Sequence, residues 1–453
     1  MKILLIGCGK VGISLLQSLT EEGHDLVVVD QDPAVIEEIS NIYDTMCVCG
    51  NGCTSDILTE AGVETADLVI AAAGSDEMNM LACFLARRLG AKHTIARIRN
   101  PEYNDQSLGF LRQQLDLSLS INPERLAALE LYHVLQFPAA ATVESFSRRN
   151  FTMIEILLKP DSILNGMNLI EMRKKFDEDF LVCAVRRGED AFIPSGHFVL
   201  QGGDRIGLVA TPAVITRLLK KTGLLQSRSK NVMLLGASRT SYYLAKMLLA
   251  AGCNVKVIEI DKDRCKEFAE ELDGATVICG DGAHQELLME EGIADMDAFV
   301  SLTGMDEENL LISFFAASRG VPKVIPKVNR TEYFTMAEKL GLDSMISPRK
   351  TVTDIVLRYA RALQNSLGSK METLYRLMDE KVEALEFNVL PDFKWTGIAL
   401  KDLKLKPNIL IAGILRGRRP IIPKGSDTIQ PGDSVVVFAT RQAVLDLADI
   451  IKV

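Results

Sequence analysis

The sequence predicts an α/β protein: two Rossmann-like domains built on doubly wound parallel sheets, each followed by a small α+β domain. Three observations carry that prediction. The strand candidates are unbroken apolar runs alternating with helical patterns, a glycine-rich turn follows the first run, and the second half of the chain restates the first.

In order, the first half reads as strands at Ile3–Ile6, Leu26–Val29, Thr45–Val48, Leu68–Ala72 and Thr94–Ile98, with helical patterns between them. Strands without polar alternation are buried on both faces, which is the mark of a parallel sheet covered by helices. The first strand runs into Gly7, Gly9 and Gly12, a GxGxxG turn opening a helix through Leu15, Leu16 and Leu19, and the second strand ends in Asp30. This is a dinucleotide-binding pattern. Gly7 permits the tight turn, Gly9 lets backbone approach a pyrophosphate, and Gly12 lets the helix pack on the sheet. A pyrophosphate would sit on helix N-terminal N–H groups, and Asp30 would accept from ribose hydroxyls, favouring NAD(H) or an adenosine nucleotide over a 2′-phosphorylated one. Ala73 and Gly74 end the fourth strand, on the carboxyl edge where such sheets bind ligands. Arg97 near the end of the fifth reads either as a phosphate or ribose contact or as a rim salt bridge. Lys10 reads either as a phosphate contact or as a solvated lysine.

After the fifth strand, Asn122 and Pro123 fit the N-cap and first position of a helix to about Leu135 that leaves the sheet for another domain. A hairpin is expected from Val143–Phe146 and Thr152–Leu158 around the turn SRRN. A helix at Leu169–Lys175, strands Phe180–Arg186 and Arg205–Val209, and a helix at Ala213–Lys220 complete the small domain. Leu225–Lys230 reads as a linker.

The repeat then begins. Gly236 answers Gly7 and Glu259 answers Asp30, both at an offset of 229 (236 − 7; 259 − 30). CGNGCTSDIL at 49–58 returns as CGDGAHQELL at 279–288, AAAGSDEMNML at 71–81 as SLTGMDEENLL at 301–311, and ARIRNPEY at 96–103 as PKVNRTEY at 326–333. Ser347 and Pro348 repeat the helix start, QGGD at 201–204 returns as QPGD at 430–433, and IPSG at 193–196 as IPKG at 422–425. The domains are therefore placed at 1–139, 140–226, 230–369 and 370–453. The second loop departs from the first: Ser238 and Ser241 stand where Gly9 and Gly12 would be. A side chain at the middle position either weakens pyrophosphate binding or adds a hydrogen bond, so the second site is expected to be weaker or differently selective. Trp395, before an expected helix of the last domain, reads as structural.

Composition excludes several classes. A net charge of −9 argues against a nucleic-acid ligand, and no apolar run approaches the ~18 residues of a membrane span. The nine cysteines are scattered as in reducing compartments. Cys47, Cys49 and Cys53 cluster, but without a CxxC pair or nearby His no metal site is expected. A dehydrogenase would need an acid–base group in a substrate cleft. The five histidines, His24, His93, His133, His197 and His284, recur in no such constellation, so no catalytic residue is assigned.

MKILLIGCGKVG, VVVD ending at Asp30, GNGC at 50–53, SDEMNM at 75–80 and ARIRNPEY at 96–103, within a two-copy layout, resemble the regulator-of-potassium-conductance (RCK/KTN) domains. More closely, the chain resembles the Trk-type potassium-uptake peripheral regulatory proteins, the TrkA family. The resemblance implies nucleotide contacts by Gly7, Cys8, Gly9, Lys10, Val11, Asp30, Ala73, Gly74 and Arg97. In the second copy it implies Gly236, Ala237, Ser238, Arg239, Thr240 and Glu259. It also implies binding of NAD(H) or ATP/ADP, a homo-oligomeric ring (a tetramer of the duplicated chain), and an integral-membrane potassium-translocating partner docked from the cytoplasmic face of the plasma membrane. The rival readings are an NAD-dependent dehydrogenase and a regulator of a potassium/proton antiporter. For the small domains, a ligand pocket and a dimerisation surface stay open.

Overall fold

The computed structural model describes residues 1–103, 105–146, 150–224, 229–330, 332–366, 371–378, 381–440, 444 and 446–452. Most of the turn SRRN (147–149) and of the expected linker (225–228) lies outside them. The chain divides into two compact units, Met1–Leu129 with Ser347–Ala360, and Glu130–Ile346 with Arg361–Val453. No described helix is long and apolar enough to cross a membrane.

The first unit is built on β1 (Lys2–Ile6), β2 (Asp25–Asp30), β3 (Met46–Cys49), β4 (Leu68–Ala71), β5 (His93–Arg97) and β6 (Leu119–Ile121). All pair in parallel in the order β3-β2-β1-β4-β5-β6. Helices α1 (Lys10–Glu21), α2 (Pro33–Ile42), α3 (Ser55–Glu60), α4 (Asp76–Arg88) and α5 (Asp105–Gln114) make the crossovers, and α6 (Pro123–Gln136) follows the last strand. Period-two geometry puts Leu4, Ile6, Val27, Val29, Val69 and Ala71 on one face, in one core with Cys83 and Ala86 of α4. Ile3, Leu5 and Val28, on the other face, are equally buried. Both faces are covered, as unalternating strands require.

The sequence reading missed β6. Three residues are too short a run to signal a strand. The pairing rests on tertiary bonds: Ile98 N–H donates to the Ile121 carbonyl at 2.9 Å, and Thr94 N–H to Ser118 Oγ at 3.1 Å. Asn122 then caps α6 as expected, accepting from Arg125 N–H at 2.9 Å.

The second unit begins with a five-stranded antiparallel sheet. Its strands are β7 (Thr142–Phe146), β8 (Phe151–Leu157), β9 (Phe180–Arg187), β10 (Asp190–Phe192) and β11 (Arg205–Ala210), in the order β10-β9-β11-β8-β7 with α7 (Leu169–Phe176) and α8 (Pro212–Lys221). The repeated GD turns have a structural reason. Asp204 and Asp433 are almost fully buried, each accepting two bonds from an arginine, Arg187 at 2.7 and 2.8 Å and Arg416 at 2.9 and 2.9 Å.

The second parallel sheet, β14-β13-β12-β15-β16, follows. Its strands are β12 (Asn231–Leu235), β13 (Asn254–Glu259), β14 (Thr276–Cys279), β15 (Ala298–Ser301) and β16 (Lys323–Pro326). Around it stand α9 (Arg239–Ala250), α10 (Lys262–Glu271), α11 (Gln285–Glu290), α12 (Asp306–Ser318) and α13 (Glu332–Lys339). The counterpart of β6 is here a single parallel bridge, Lys327 to Ile346. Next comes α14 (Pro348–Ser366), with Ser347 Oγ accepting from Lys350 N–H at 3.4 Å. Its first turns, through Ala360, belong to the first unit, where Tyr359 meets His93 edge-on with ring centroids 6.4 Å apart.

The last sheet is β17 (Met371–Leu377), β18 (Val382–Asn388), β19 (Ile409–Arg416), β20 (Arg419–Ile421) and β21 (Ser434–Thr440) in the order β17-β18-β21-β19-β20. The helix expected after Trp395 is a single 3-10 turn, Leu400–Asp402. Its segment, ALKDLKLKP, brings Pro407 and lacks the Asn168–Glu171 capping box that starts α7. Trp395 packs into the apolar core of this domain, 5.5 Å from the Phe393 ring. The two small sheets share a core in which Phe146 stacks edge-on with Tyr375 and Phe438, at centroid distances of 4.5 and 5.9 Å.

Candidate functional site

The strand order reverses between β1 and β4, and at that point the carboxyl ends of both strands meet the first glycine turn. Gly7 has φ +89°, and a Cβ there would lie 2.6 Å from the Cα and N of Ala73, so neither conformation nor space admits a side chain. A Cβ on Gly12 would lie 2.1 Å from the Gly7 carbonyl oxygen, so the close approach of α1 to the turn requires glycine there too. Gly9 differs. It is the N-cap of α1 with φ −65°, no side chain caps the helix, and nothing lies within 4 Å of where its Cβ would be. Gly74, after β4, likewise has nothing within 4 Å of where its Cβ would be. Lys10 is the exposed first residue of α1, Val11 is half-buried and Cys8 is buried.

Asp30 does more than end β2. Its Oδ2 accepts from Cys8 N–H at 2.7 Å and its Oδ1 from Asp32 N–H at 3.0 Å, which ties the glycine turn to the second strand. A carboxylate has about four lone-pair positions, so two remain for other donors. Burial, then the Asp30 carboxylate and Cys47, push the Cys8 thiol up to about 12, which leaves it protonated.

Arg97 donates from Nη2 to the Ala73 carbonyl at 2.7 Å, so it reaches the β4 turn from β5. Sequence reasoning missed two residues that hold this edge together. Asn79, fully buried on α4, accepts from Ala73 N–H at 2.8 Å and donates to the carbonyls of Ala73 at 3.1 Å and Arg97 at 2.9 Å. Asp76 at the start of α4 accepts from Arg99 and Asn100 N–H at 2.8 and 2.7 Å. The signal was present: Asp76 and Asn79 return as Asp306 and Asn309 in the repeated segments.

The second loop keeps the frame and changes the lining. Gly236 has φ +92°, and Glu259 accepts from Ala237 N–H at 2.6 Å and Asp261 N–H at 2.9 Å, the bonds that Asp30 makes in the first loop. Asn309 repeats Asn79, accepting from Thr303 N–H at 2.9 Å and donating to Lys327 O at 2.9 Å. Ser238 and Ser241, however, form a capping box at the start of α9, with Ser241 N–H donating to Ser238 Oγ at 3.2 Å. The Ser241 hydroxyl donates to the Gly236 carbonyl, converting the contact that demands glycine at position 12 into a hydrogen bond. Arg239 is exposed at the first position of α9 and Thr240 is buried. Arg264 of α10, unforeseen from sequence, lies against this loop with Nη1 2.9 Å from the Ala237 carbonyl. Among the described residues no group of three or more His, Cys, Asp or Glu side chains is placed to hold a metal.

Two glycine-turn parallel sheets, each followed by an antiparallel α+β domain, define the class as a tandem Rossmann-like chain with small C-terminal domains. The TrkA-N domain matches residues 3–110 and 232–348, and the TrkA-C domain matches 153–223 and 384–452. A Trk system potassium uptake protein TrkA homolog of Methanosarcina mazei is 32% identical over 460 residues, covering 100% of each chain. The Trk system potassium uptake protein TrkA of Vibrio alginolyticus is 30% identical over 98% of this chain and 96% of its own. The chain belongs to the TrkA family of Trk system potassium uptake proteins. In fold it also matches the GsuK RCK domain, at 16% identity and TM-score 0.63 over 97% of this chain and 92% of that one. A GsuK channel bound to NAD matches at 16% identity and TM-score 0.64, over 97% of this chain and 77% of the other.

Proposed function

We propose that this chain is a nucleotide-sensing regulatory subunit that acts from the cytoplasmic face on an integral-membrane potassium-translocating protein. The observation that carries the nucleotide reading is Gly9. Packing explains glycine at positions 7 and 12, but around Gly9 the protein itself leaves open space at an uncapped helix N-terminus, where a pyrophosphate gains most from close backbone approach. In this reading Gly7, Cys8, Gly9, Lys10, Val11 and Gly12 cradle the phosphates and Asp30 takes the ribose through its remaining lone pairs. Ala73, Gly74 and Arg97 line the far side. The ligand class is NAD(H) or an adenine nucleotide, ATP or ADP; GsuK, which shares the fold, has been described with NAD and with ADP bound.

The second loop, with Gly236, Ala237, Ser238, Arg239, Thr240 and Glu259, binds more weakly or with different selectivity, because two N–H groups at its helix N-terminus already donate to its own serine hydroxyls, Ser238 N–H to Ser241 Oγ and Ser241 N–H to Ser238 Oγ. We take the segments 1–139, 140–226, 230–369 and 370–453 as the repeated domains, and a ring of four duplicated chains as the assembly. No residue is given a catalytic role. Regulation follows from linkage: a nucleotide that binds two arrangements of the paired domains unequally shifts their equilibrium by that difference, typically ~1 to 3 kcal/mol.

The test uses the purified full chain. Melting temperature is measured with NADH, NAD, ATP and ADP, and co-purification with a membrane potassium-translocating subunit is measured with and without the nucleotide that stabilises. A nucleotide-dependent melting shift together with co-purification is the expected result. Absence of a shift with all four nucleotides would remove the sensing role, and steady turnover of NADH with simple oxo acids or aldehydes would favour a dehydrogenase.

A further inference from the structure

Two thiols lie at the edge of the second parallel sheet, one on its edge strand and one on the neighbouring helix α10. Cys279 is the last residue of the edge strand β14 and is exposed, and its register partner on β13 is Glu259. Cys265 lies on α10 in the turn that follows β13, and its Sγ is 3.3 Å from the Glu259 carbonyl oxygen. That same oxygen accepts from Gly280 N–H at 2.8 Å. The Cys265 sulfur and the amide next to Cys279 therefore converge on one acceptor, which places the two cysteines side by side across the end of the strand pair.

We propose that Cys265 and Cys279 form a redox-modifiable dithiol whose substrate class is a low-molecular-weight disulfide. Cys279, exposed, gives up its proton to solvent, and its thiolate attacks one sulfur of the small disulfide. That S–S bond breaks, one small thiolate leaves, and a mixed disulfide stands on Cys279. The Cys265 sulfur, losing its proton to solvent, then attacks Cys279 Sγ; a Cys265–Cys279 bond forms and the second small thiolate leaves. Two protein thiols are oxidised, one small disulfide is reduced, and the two departing thiolates take up two protons.

The division of roles follows from environment. Cys265 is nearly buried, and burial, then its contact with the Cys279 thiol and the charges of Glu259 and Asp261, raise its thiol to about 11. It is poorly suited to attack first and well placed to resolve. Closure fixes α10 to β14 beside Glu259, the carboxylate that anchors the second glycine turn through Ala237 N–H.

The first copy is an internal control. Cys49 matches Cys279 and pairs in register with Asp30, and Gly50 N–H donates to the Asp30 carbonyl at 2.8 Å. The position matching Cys265, at the offset of 229 (265 − 229), is Ile36. A thiol there finds no partner of that kind.

The experiment treats the full chain with oxidised glutathione, blocks remaining thiols by alkylation, and maps peptides by mass spectrometry. The expected result is a Cys265–Cys279 cross-link with loss of both thiols together, and a glutathione adduct on Cys49. Cys265→Ser is expected to leave Cys279 carrying a stable glutathione adduct, and Cys279→Ser to leave Cys265 free. A persistent adduct on Cys279 in the unmodified chain, or a Cys279 that stays reduced while Cys49 reacts, overturns the proposal. So does an identical product pattern in the Cys265→Ser chain.

Discussion

Replacing Asn79 by alanine tests how the carboxyl edge of the first sheet is held. Asn79 is fully buried and joins the turn after β4 to the end of β5 through three bonds: from Ala73 N–H at 2.8 Å, to Ala73 O at 3.1 Å and to Arg97 O at 2.9 Å. Each such bond contributes about 0.5–1.5 kcal/mol net, so the three together are worth about 2–4 kcal/mol. The Ala73 carbonyl keeps its bond from Arg97 Nη2 at 2.7 Å, which offsets part of the loss. Asn79→Ala should therefore cost about 2–4 kcal/mol locally. A chain of several domains does not unfold in two states, so the assay is native-state hydrogen exchange at the amides of β4 and β5. Asn79→Asp keeps an acceptor for Ala73 N–H but turns carboxylate oxygen toward two carbonyls, so it should be no milder. Asn309→Ala should lower protection in β15 and β16 by a similar amount. A loss below about 0.5 kcal/mol in both copies would show that the asparagines fill space and hold nothing, and the account of this edge would be wrong.

Gly9→Ala should lower stability by no more than about 1 kcal/mol, the cost of losing glycine at an N-cap, because nothing lies within 4 Å of the added Cβ, while lowering nucleotide affinity about tenfold (~1.4 kcal/mol) by titration; unchanged affinity would contradict the pyrophosphate placement. Glu178, between Arg217 Nη2 at 2.9 Å and Lys221 Nζ at 2.8 Å, has its carboxyl held down to about 2. Its folded pKa lies below the ordinary 4.5, so its contribution to stability is present above that value and lost as pH falls toward 2. Acid unfolding of Arg217→Ala should begin at higher pH and be flatter between those limits. Lys323 is buried and bonded to Ala140 O at 2.8 Å and Ser344 Oγ at 2.6 Å, and burial pulls its ammonium below the ordinary 10.5. The unfolded chain therefore holds that proton to higher pH, so this group makes stability rise as pH climbs toward 10.5. Lys323→Met should abolish the rise in alkaline melting curves.

Much of the architecture was legible in the sequence because its causes are local. Unalternating apolar runs mean strands buried on both faces, and Gly7, Gly12 and Asp30 sit at spacings fixed by one strand, one turn and one helix. Repetition supplied the rest, since a duplicated chain prints each element twice. What tertiary structure decided involves bonds between segments distant in the chain. The strand at Leu119–Ile121 exists because Ile98 and Thr94 offer it partners. The 3-10 turn after Trp395 stands where the first copy grows a helix, and the first turns of α14 belong with a sheet more than two hundred residues earlier. Asp30 shows the division at one residue: its spacing marks it as a carboxylate at a strand end, but only the folded chain brings Cys8 N–H within 2.7 Å and makes it the anchor of the turn. Spacing along a chain records what one backbone segment must do, whereas a hydrogen bond to a remote amide depends on where the whole sheet places that amide.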